Sequence, residues 1–299
     1  MSATSHLQAR LDRGEFVITA EIAPRLTASG KEILAQAEPL RGRVDAVNVT
    51  DGAGARVTMC SMAAAALLVQ NGIEPIMHIT CRDRNRIGIA ADLIGAAALG
   101  VRNILVLTGD DPRKGDEPDA KPVYDLSSDD IITLAHTLGA DGKTASGREL
   151  STRAEFFIGT ADAPFHPPPE WKPDRLEHKI GAGAGFVQTQ FCFQPSLARR
   201  YFERLGEYGI TDRLPFIVGV GPIASVRSAR WMNEHLFGVN IPASVIDRLE
   251  KAADPAAEGL RICVELVDTY REMAGVAGVH IMAPAQGTER IAAVLDAIG

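Results

Sequence analysis

The sequence contains few aromatic residues and no long apolar run, and each shortage excludes a class of protein. Phe, Trp and Tyr make up 5% of the 299 residues although 46% are hydrophobic, so small aliphatic side chains must form most of the core. No apolar stretch reaches the roughly 18 residues that a membrane-spanning helix needs. No basic run stands out, and the net charge of −7 argues against binding to the phosphate backbone of nucleic acids.

Cysteine is also scarce. The four cysteines, Cys60, Cys81, Cys192 and Cys263, lie far apart and form no CxxC pair. This spacing is typical of free thiols in a reducing compartment rather than of disulfides or a metal site. The N-terminal segment MSATSHLQARLDRGEF is charged and lacks the apolar centre of a secretion signal. We therefore expect a cytoplasmic protein that binds neither a membrane nor nucleic acid.

Short apolar runs alternate with segments of helical periodicity along the whole chain. Such alternation predicts parallel strands, because parallel neighbours need a crossover connection between them. Eight units of this kind predict an α/β fold, a (β/α)8 TIM barrel formed by residues 1–299 as a single domain. A doubly wound open sheet is the alternative, although no GxGxxG fingerprint follows the first strand. The eight runs are FVITAEIAP, DAVNVTDG, EPIMHITC, NILVLTGD, EFFIGTAD, GFVQTQFCF, PFIVGVGP and GVHIMAP.

Helical periodicity is clearest over residues 31–40, 57–70, 86–99 and 126–137. Residues 242–257 are interpreted as an extra helix before the last α unit. Residues 139–148 (GADGKTASGR) are interpreted as a flexible turn on the face opposite the active site. Loops before the strands are short, whereas those after the strands are long and polar. This asymmetry predicts an active site at the carboxyl ends of the strands, as in other barrels.

Polar residues cluster where the predicted strands end. Because a polar group within a buried strand is costly unless it is satisfied or used, these residues are candidates for the site. Glu21 is the most informative, since apolar residues flank it on a first strand that should be buried. We expect its pKa to be raised, which suits a general acid. The full set comprises Glu21, Thr50, Asp51, His78, Thr80, Thr108, Gly109, Asp110, Asp111, Asp162, His166, Gln188, Gln190 and Gln286.

Structural roles are open alternatives for these residues. Glu21 could pair with a nearby arginine, His78 could be a satisfied core histidine, and Asp110 or Asp111 could cap a turn. One of the two glutamines that share a face of the sixth strand could be satisfied inside the barrel. The histidines and carboxylates raise the alternative of a metal hydrolase, but no HxH or HExxH spacing is present, so no metal site is predicted.

The motifs together resemble the 5,10-methylenetetrahydrofolate reductase family. The resemblance covers nearly the whole chain and rests on TAEIAPR, NVTDGAGARVTMCSMAAA, EPIMHITCRDRNR, GVRNILVLTGDDP, FHPPPEW, KIGAGAGFVQTQFCF and GVHIMAP, in that order. The family fold is an eight-stranded β/α barrel, in agreement with the strand count. The resemblance implies an enzyme that binds FAD, accepts hydride from NADH or NADPH, and reduces the methylene bridge of methylenetetrahydrofolate to a methyl group.

The resemblance also implies roles for individual residues. Glu21 matches the catalytic acid that protonates N10 as the imidazolidine ring opens to an iminium form. Asp110 matches the aspartate that holds the pterin ring near the flavin and tunes the flavin. Gln190 matches a glutamine that contacts folate and nicotinamide in turn, and one slot used alternately would give ping-pong kinetics. The positions implied for cofactor binding are Thr50, His78, Thr80, Thr108, Gly109, Asp110, Asp162, His166 and Lys179.

The chain departs from the family pattern at two of these positions and at two positions of the implied folate site. Thr108 replaces a common arginine and Asp162 a flavin-contacting tyrosine. In the implied folate site, Ser228 replaces a glutamine and Gln286 an arginine, so that the implied substrate-binding residues are Gln190, Ser228 and Gln286. Two alternatives stay open: a flavin-independent reductase with direct hydride transfer from NADH, and a non-catalytic folate-binding barrel. We also expect a homo-oligomer.

Overall fold

The computed structural model describes residues 4–299 and contains a closed barrel of eight parallel strands in chain order. All eight predicted strands form, and the barrel is confirmed. The pairing of β1 with β8 closes the sheet and rules out the doubly wound alternative. The strands are β1 Val17–Ile22, β2 Ala46–Val49, β3 Pro75–Thr80, β4 Asn103–Leu107, β5 Phe157–Asp162, β6 Phe186–Phe191, β7 Phe216–Val220 and β8 Gly278–Ile281.

Helices surround the barrel, and their apolar faces pack against the outer side of the strands. None of the helices in residues 4–299 has both the length and the hydropathy needed to cross a membrane. The helices are α1 His6–Asp12, α2 Gly30–Ala37, α3 Ser61–Gln70, α4 Arg86–Ala98, α5 Ser128–Ala140, α6 Asp174–Ala182, α7 Pro195–Glu207, α8 Val226–His235, α9 Ala243–Lys251, α10 Pro255–Arg271 and α11 Thr288–Ile298.

Three of the predicted boundaries are wrong. The interpretation of residues 242–257 as one helix fails because α9 ends at Lys251 and α10 begins at Pro255, where the Asp254 side chain accepts hydrogen bonds from two backbone N–H groups. Helix α3 begins at Ser61, four residues later than the periodicity predicts. The predicted turn at 139–148 is shortened because α5 continues to Ala140.

Helix α1, which the sequence analysis did not identify, covers the amino-terminal end of the barrel. Leu7 and Leu11 pack with Val17, Ile76 and Phe186 in a separate apolar cluster inside the strands. The helix begins at a Ser5 cap, whose side chain accepts a hydrogen bond from a backbone N–H group in the first turn. It therefore closes the end of the barrel opposite the carboxyl ends of the strands.

Replacing Leu7 by alanine tests this closure. We expect Leu7→Ala to lower the free energy of unfolding by about 2 kcal/mol, at the lower end for a buried leucine because a terminal helix can shift into the space. Leu26→Ala is the matched control, since Leu26 is 77% exposed. Urea unfolding of the three proteins measures the difference. Equal losses for both variants would show that α1 does not contribute a packed end layer.

Side chains along each strand alternate between the interior and the outer side of the barrel, so Val17, Thr19 and Glu21 of β1 lie on one face. Along this face the interior changes from apolar at the α1 end to polar in the middle and at the mouth. Gln188 of β6 and His280 of β8 belong to the middle, and both are buried. The barrel thus contains a polar layer directly beneath its open end.

Candidate functional site

A cavity of about 900 Å³ opens at the carboxyl ends of the strands. Its position agrees with the place where barrel enzymes bind their substrates, and its volume lies in the range of pockets for large organic ligands. The cavity brings together eight of the predicted site residues, contributed by β1, β3, β5, β6, α6 and the loops that follow β4 and β5. These residues are Glu21, His78, Thr108, Asp162, His166, Lys179, Gln188 and Gln190.

Four other predicted residues have polar partners that place their side chains outside this lining. The carboxylate of Asp110 accepts a hydrogen bond from the backbone N–H of Gly54 at 2.7 Å. Ser228 forms a capping box with Ser225 at the start of α8. Gln286 donates to the backbone carbonyl of Pro222 at 2.9 Å. The fourth is Thr80.

Thr80 and its neighbours form a second polar group at the rim. The hydroxyl and the backbone N–H of Thr80 both donate to Oδ2 of Asp51 at 3.0 Å, and Arg84 pairs with the same oxygen. Gly109 has φ +91°, and a Cβ at this position would lie 3.1 Å from Cβ of Thr80. Glycine is therefore required where β4 turns into its loop. Asp111 accepts a hydrogen bond from the backbone N–H of Arg113, which confirms the capping alternative for Asp111.

Thr50, at the end of β2, is buried, and its Oγ1 has no hydrogen-bond partner within the described part of the chain. An unpaired buried hydroxyl is unusual, because the loss of hydrogen bonds to water is normally compensated. Thr50 is not among the residues that line the cavity, so its hydroxyl lies beneath the cavity surface.

Glu21 lies beside a histidine that the sequence analysis missed. Oε2 of Glu21 is 3.8 Å from Nε2 of His280 on β8. Burial by itself would raise the pKa of Glu21, but the hydrogen bond and charge of His280, with a smaller contribution from His78, hold this pKa below its usual value. The predicted rise in pKa is therefore wrong for the free cavity. The signal for His280 was a polar residue between apolar ones in GVHIMAP, the same pattern that identified Glu21.

His78 connects to a buried group of amides. Its Nε2 accepts from Nδ2 of Asn48 at 2.8 Å, and Asn48 and Gln188 exchange hydrogen bonds through both amide groups. Burial lowers the pKa of His78 to about 4, against the smaller opposing effect of Glu21. His78 is therefore neutral at pH 7. Gln188 is the glutamine of β6 that is satisfied inside the barrel, as one of the alternatives anticipated.

Gln190 lies two residues after Gln188 on β6, so both side chains share one face of the strand. The register between β6 and β7 is irregular at this point. A Cβ on Gly219 of β7 would lie 2.6 Å from the backbone oxygen of Thr189, so only glycine allows the strands to approach here. Within residues 4–299, Oε1 of Gln190 accepts one hydrogen bond, from the backbone N–H of Phe191 at 2.9 Å. Its amide nitrogen is available to a ligand in the cavity.

The β5 side of the cavity carries both an acid and several cations. Burial raises the pKa of Asp162 even though the hydroxyl of Tyr201 donates a hydrogen bond to it. Lys179 donates to the backbone carbonyl of Ala161 at 2.8 Å, and burial together with nearby Arg175 lowers its pKa. Arg175 lines the same wall, so the cavity has a positive end that suits an anionic group such as a phosphate.

These features fit a flavin dinucleotide, the cofactor that the family resemblance implies. The cavity has room for a large ligand, and its cations suit a pyrophosphate. Asp162, which accepts a hydrogen bond from Tyr201, stands where the family resemblance implies a flavin-contacting tyrosine.

The chain is similar to proteins named methylenetetrahydrofolate reductase. The family model described as methylenetetrahydrofolate reductase matches residues 6–299. A probable methylenetetrahydrofolate reductase (NADPH) of Caenorhabditis elegans is 30% identical over 234 residues, which cover 76% of this chain and 32% of that protein. A 5,10-methylenetetrahydrofolate reductase of Pectobacterium carotovorum is 27% identical over 189 residues, covering 57% of this chain and 55% of the relative.

Solved structures share the fold at low sequence identity. An uncharacterized protein from Clostridium thermocellum that binds two copies of 5-methyl-5,6,7,8-tetrahydrofolic acid has a TM-score of 0.66 and 15% identity, covering 98% of this chain and 97% of that one. The chain spans about a third of the length of the Caenorhabditis elegans relative and of a Schizosaccharomyces pombe relative named methylenetetrahydrofolate reductase 2.

Proposed function

The chain belongs to the methylenetetrahydrofolate reductase family, and on that premise we propose that it reduces 5,10-methylenetetrahydrofolate to 5-methyltetrahydrofolate with hydride from NADH or NADPH. The observation that carries the proposal is the carboxyl group of Glu21, which lines the large cavity and has His280 beside it. The folate bound by the Clostridium thermocellum barrel supports the substrate class, because that ligand is the product of this reaction.

The reaction needs a proton donor at N10, because an amine is a poor leaving group when the five-membered ring opens. The low pKa of Glu21 beside His280 makes its side chain a carboxylate at pH 7. A bound pterin would exclude water from the cavity, and removal of water favours the neutral form of a carboxyl group. We propose that Glu21 takes up a proton as substrate binds and donates it to N10.

The residues present would hold FAD through Lys179 and His166 on the β5 side and through His78 on the other. The family resemblance adds Thr50, which lies outside the cavity lining. FAD, when bound, supplies a carrier that accepts hydride from nicotinamide and passes it to folate. Gln190 would contact nicotinamide and folate in turn, because its free amide faces a single cavity. The hydrogen bond from Tyr201 to Asp162 departs from the implied flavin site. It therefore favours a second candidate, a reductase that transfers hydride directly from NADH.

A visible absorption spectrum of the purified protein tests the cofactor. It is recorded alone, with added FAD, and after anaerobic addition of NADH or NADPH. A flavin band that NADH bleaches and methylenetetrahydrofolate restores, with 5-methyltetrahydrofolate formed, supports the flavin-dependent route and predicts parallel initial-rate lines. Product formed without a flavin band, with intersecting lines, supports direct transfer. Folate binding without oxidation of either nicotinamide would overturn the reductase proposal in favour of a folate-binding barrel.

Thr50 allows a sharper test of ligand binding. Thr50→Val removes the unpaired buried hydroxyl and keeps the shape, so we expect the free energy of unfolding of the unliganded protein to be unchanged or to rise by up to about 1 kcal/mol. We expect affinity for FAD to fall about tenfold, because the bound cofactor would lose a buried hydrogen bond. Fluorescence titration with FAD measures the affinity. Unchanged affinity would remove Thr50 from the cofactor site.

A further inference from the structure

A continuous chain of hydrogen bonds crosses the polar layer of the barrel beneath the cavity. It begins at His78 on β3, passes through Asn48 on β2 and Gln188 on β6, and reaches Thr19 on β1 and His280 on β8. All five side chains are buried, with exposed fractions between 0% and 4%. The chain ends beside Glu21, the proposed acid.

The donors and acceptors along this chain have a defined order. Nδ2 of Asn48 donates to Nε2 of His78 and to Oε1 of Gln188. Nε2 of Gln188 in turn donates to Oδ1 of Asn48 at 3.1 Å and to Oγ1 of Thr19 at 3.0 Å. Both protons of the Gln188 amide are therefore used, one on each neighbour.

This order favours one proton position on neutral His280. Oγ1 of Thr19 lies 2.9 Å from Nδ1 of His280 and already accepts a proton from Gln188. Among residues 4–299, the hydrogen bonds of this hydroxyl reach only Gln188 and His280, so its own proton has Nδ1 as its acceptor when His280 is neutral. In neutral imidazole the remaining proton lies on Nε2, the nitrogen 3.8 Å from Glu21.

We propose that Gln188 is a positioning residue for the proton-transfer step: its amide directs the hydroxyl of Thr19 toward Nδ1 of His280, so that the Nε2–H of His280 faces Glu21. This inference rests on the proposed function for its catalytic meaning. Gln188 would act through two other side chains, whereas Gln190 on the same strand faces the ligand.

The charged and titratable groups around Glu21 come from several elements. His280 faces it from β8 and His78 from β3, while Asp51, at the end of β2, lies near His78. Asp162 of β5 and Lys179 of α6 line the same cavity. His280 has the closest ionisable nitrogen to Glu21, so the proton position on His280 decides whether a donor or an acceptor faces the acid.

The test is the tautomer of His280 in the unliganded protein, measured by long-range 1H–15N correlation with 15N-labelled histidine. The His280 signals are identified by their loss in His280→Gln. At a pH where His280 is neutral, we expect the wild type to carry the proton on Nε2. Gln188→Met keeps the length of the side chain but removes the donor, and Thr19→Val removes the relay hydroxyl. In both variants we expect the Nδ1–H form to become populated.

Thr160→Val is the matched control for Thr19→Val, because Thr160 is also a buried strand threonine but its Oγ1 has no partner within residues 4–299. We expect the control to leave the tautomer unchanged. In Gln188→Met and Thr19→Val, the rate of folate reduction should fall about 10- to 100-fold with little change in KM, as expected for a misplaced donor. The pH dependence of this rate should also change.

An unchanged His280 tautomer in Gln188→Met and Thr19→Val would overturn the inference, as would an Nδ1–H form in the wild type. The NMR measurement needs neither cofactor nor substrate, so it is independent of turnover. A tautomer that responds as expected in a protein that reduces no folate would overturn the proposed function and leave the hydrogen-bond order supported.

Discussion

Glu21→Gln is expected to lower the rate of methylenetetrahydrofolate reduction by about 10²- to 10⁴-fold, the usual contribution of a general acid. Glutamine keeps the size and the hydrogen-bonding shape of the side chain but has no proton to give to N10. Hydride acceptance from nicotinamide needs no such proton, and that half-reaction should change little. Stopped-flow measurement of the two half-reactions separates these effects.

The control for this substitution is Glu38→Gln, which neutralises a carboxylate whose side chain is 60% exposed and pairs with Arg41 on the surface. This variant should match the wild type in both half-reactions. If Glu21→Gln retains the wild-type rate of folate reduction, the assignment of the acid is wrong. If both half-reactions fall equally, the substitution has damaged the cavity as a whole.

The second large effect is a loss of stability in mild acid that depends on His78. Burial lowers the pKa of this imidazole to about 4 in the folded protein, whereas an unfolded histidine titrates near 6.5. Between these values the unfolded chain binds a proton that the folded chain does not, so the free energy of unfolding decreases as the pH falls. The loss is about 2 kcal/mol from pH 7 to pH 5 and about 3 kcal/mol by pH 4.

His78→Gln should remove this dependence, because a glutamine oxygen can accept the Asn48 hydrogen bond without titrating. Urea unfolding at pH 7 and pH 5 measures the change for each protein. The range stops at pH 5 because Glu21, whose pKa is held low, stays ionised there. His178→Gln is the control, since its side chain is 72% exposed. A wild-type slope in His78→Gln would assign the acid sensitivity to another group.

Strand-helix alternation and turn residues predicted all eight strands, because these signals depend on neighbours along the chain. The boundary between α9 and α10 was missed although Asp254 and Pro255 mark it, since periodicity continues across the break. Helix α1 was missed because two leucines in a charged segment give a weak local signal, and its burial depends on the barrel end.

The sequence by itself determined the barrel and the set of polar residues at the strand ends, because each strand carries its own alternation of inward and outward positions. Only the tertiary structure decided how those residues act on one another. The closure of β1 against β8 brings His280 to Glu21, and the resulting contact lowers a pKa that burial alone would raise. It likewise places Gln188 against Thr19, 169 positions away in the sequence. Hydrogen bonds and charge interactions depend on distances of a few ångströms, and chain closure sets those distances.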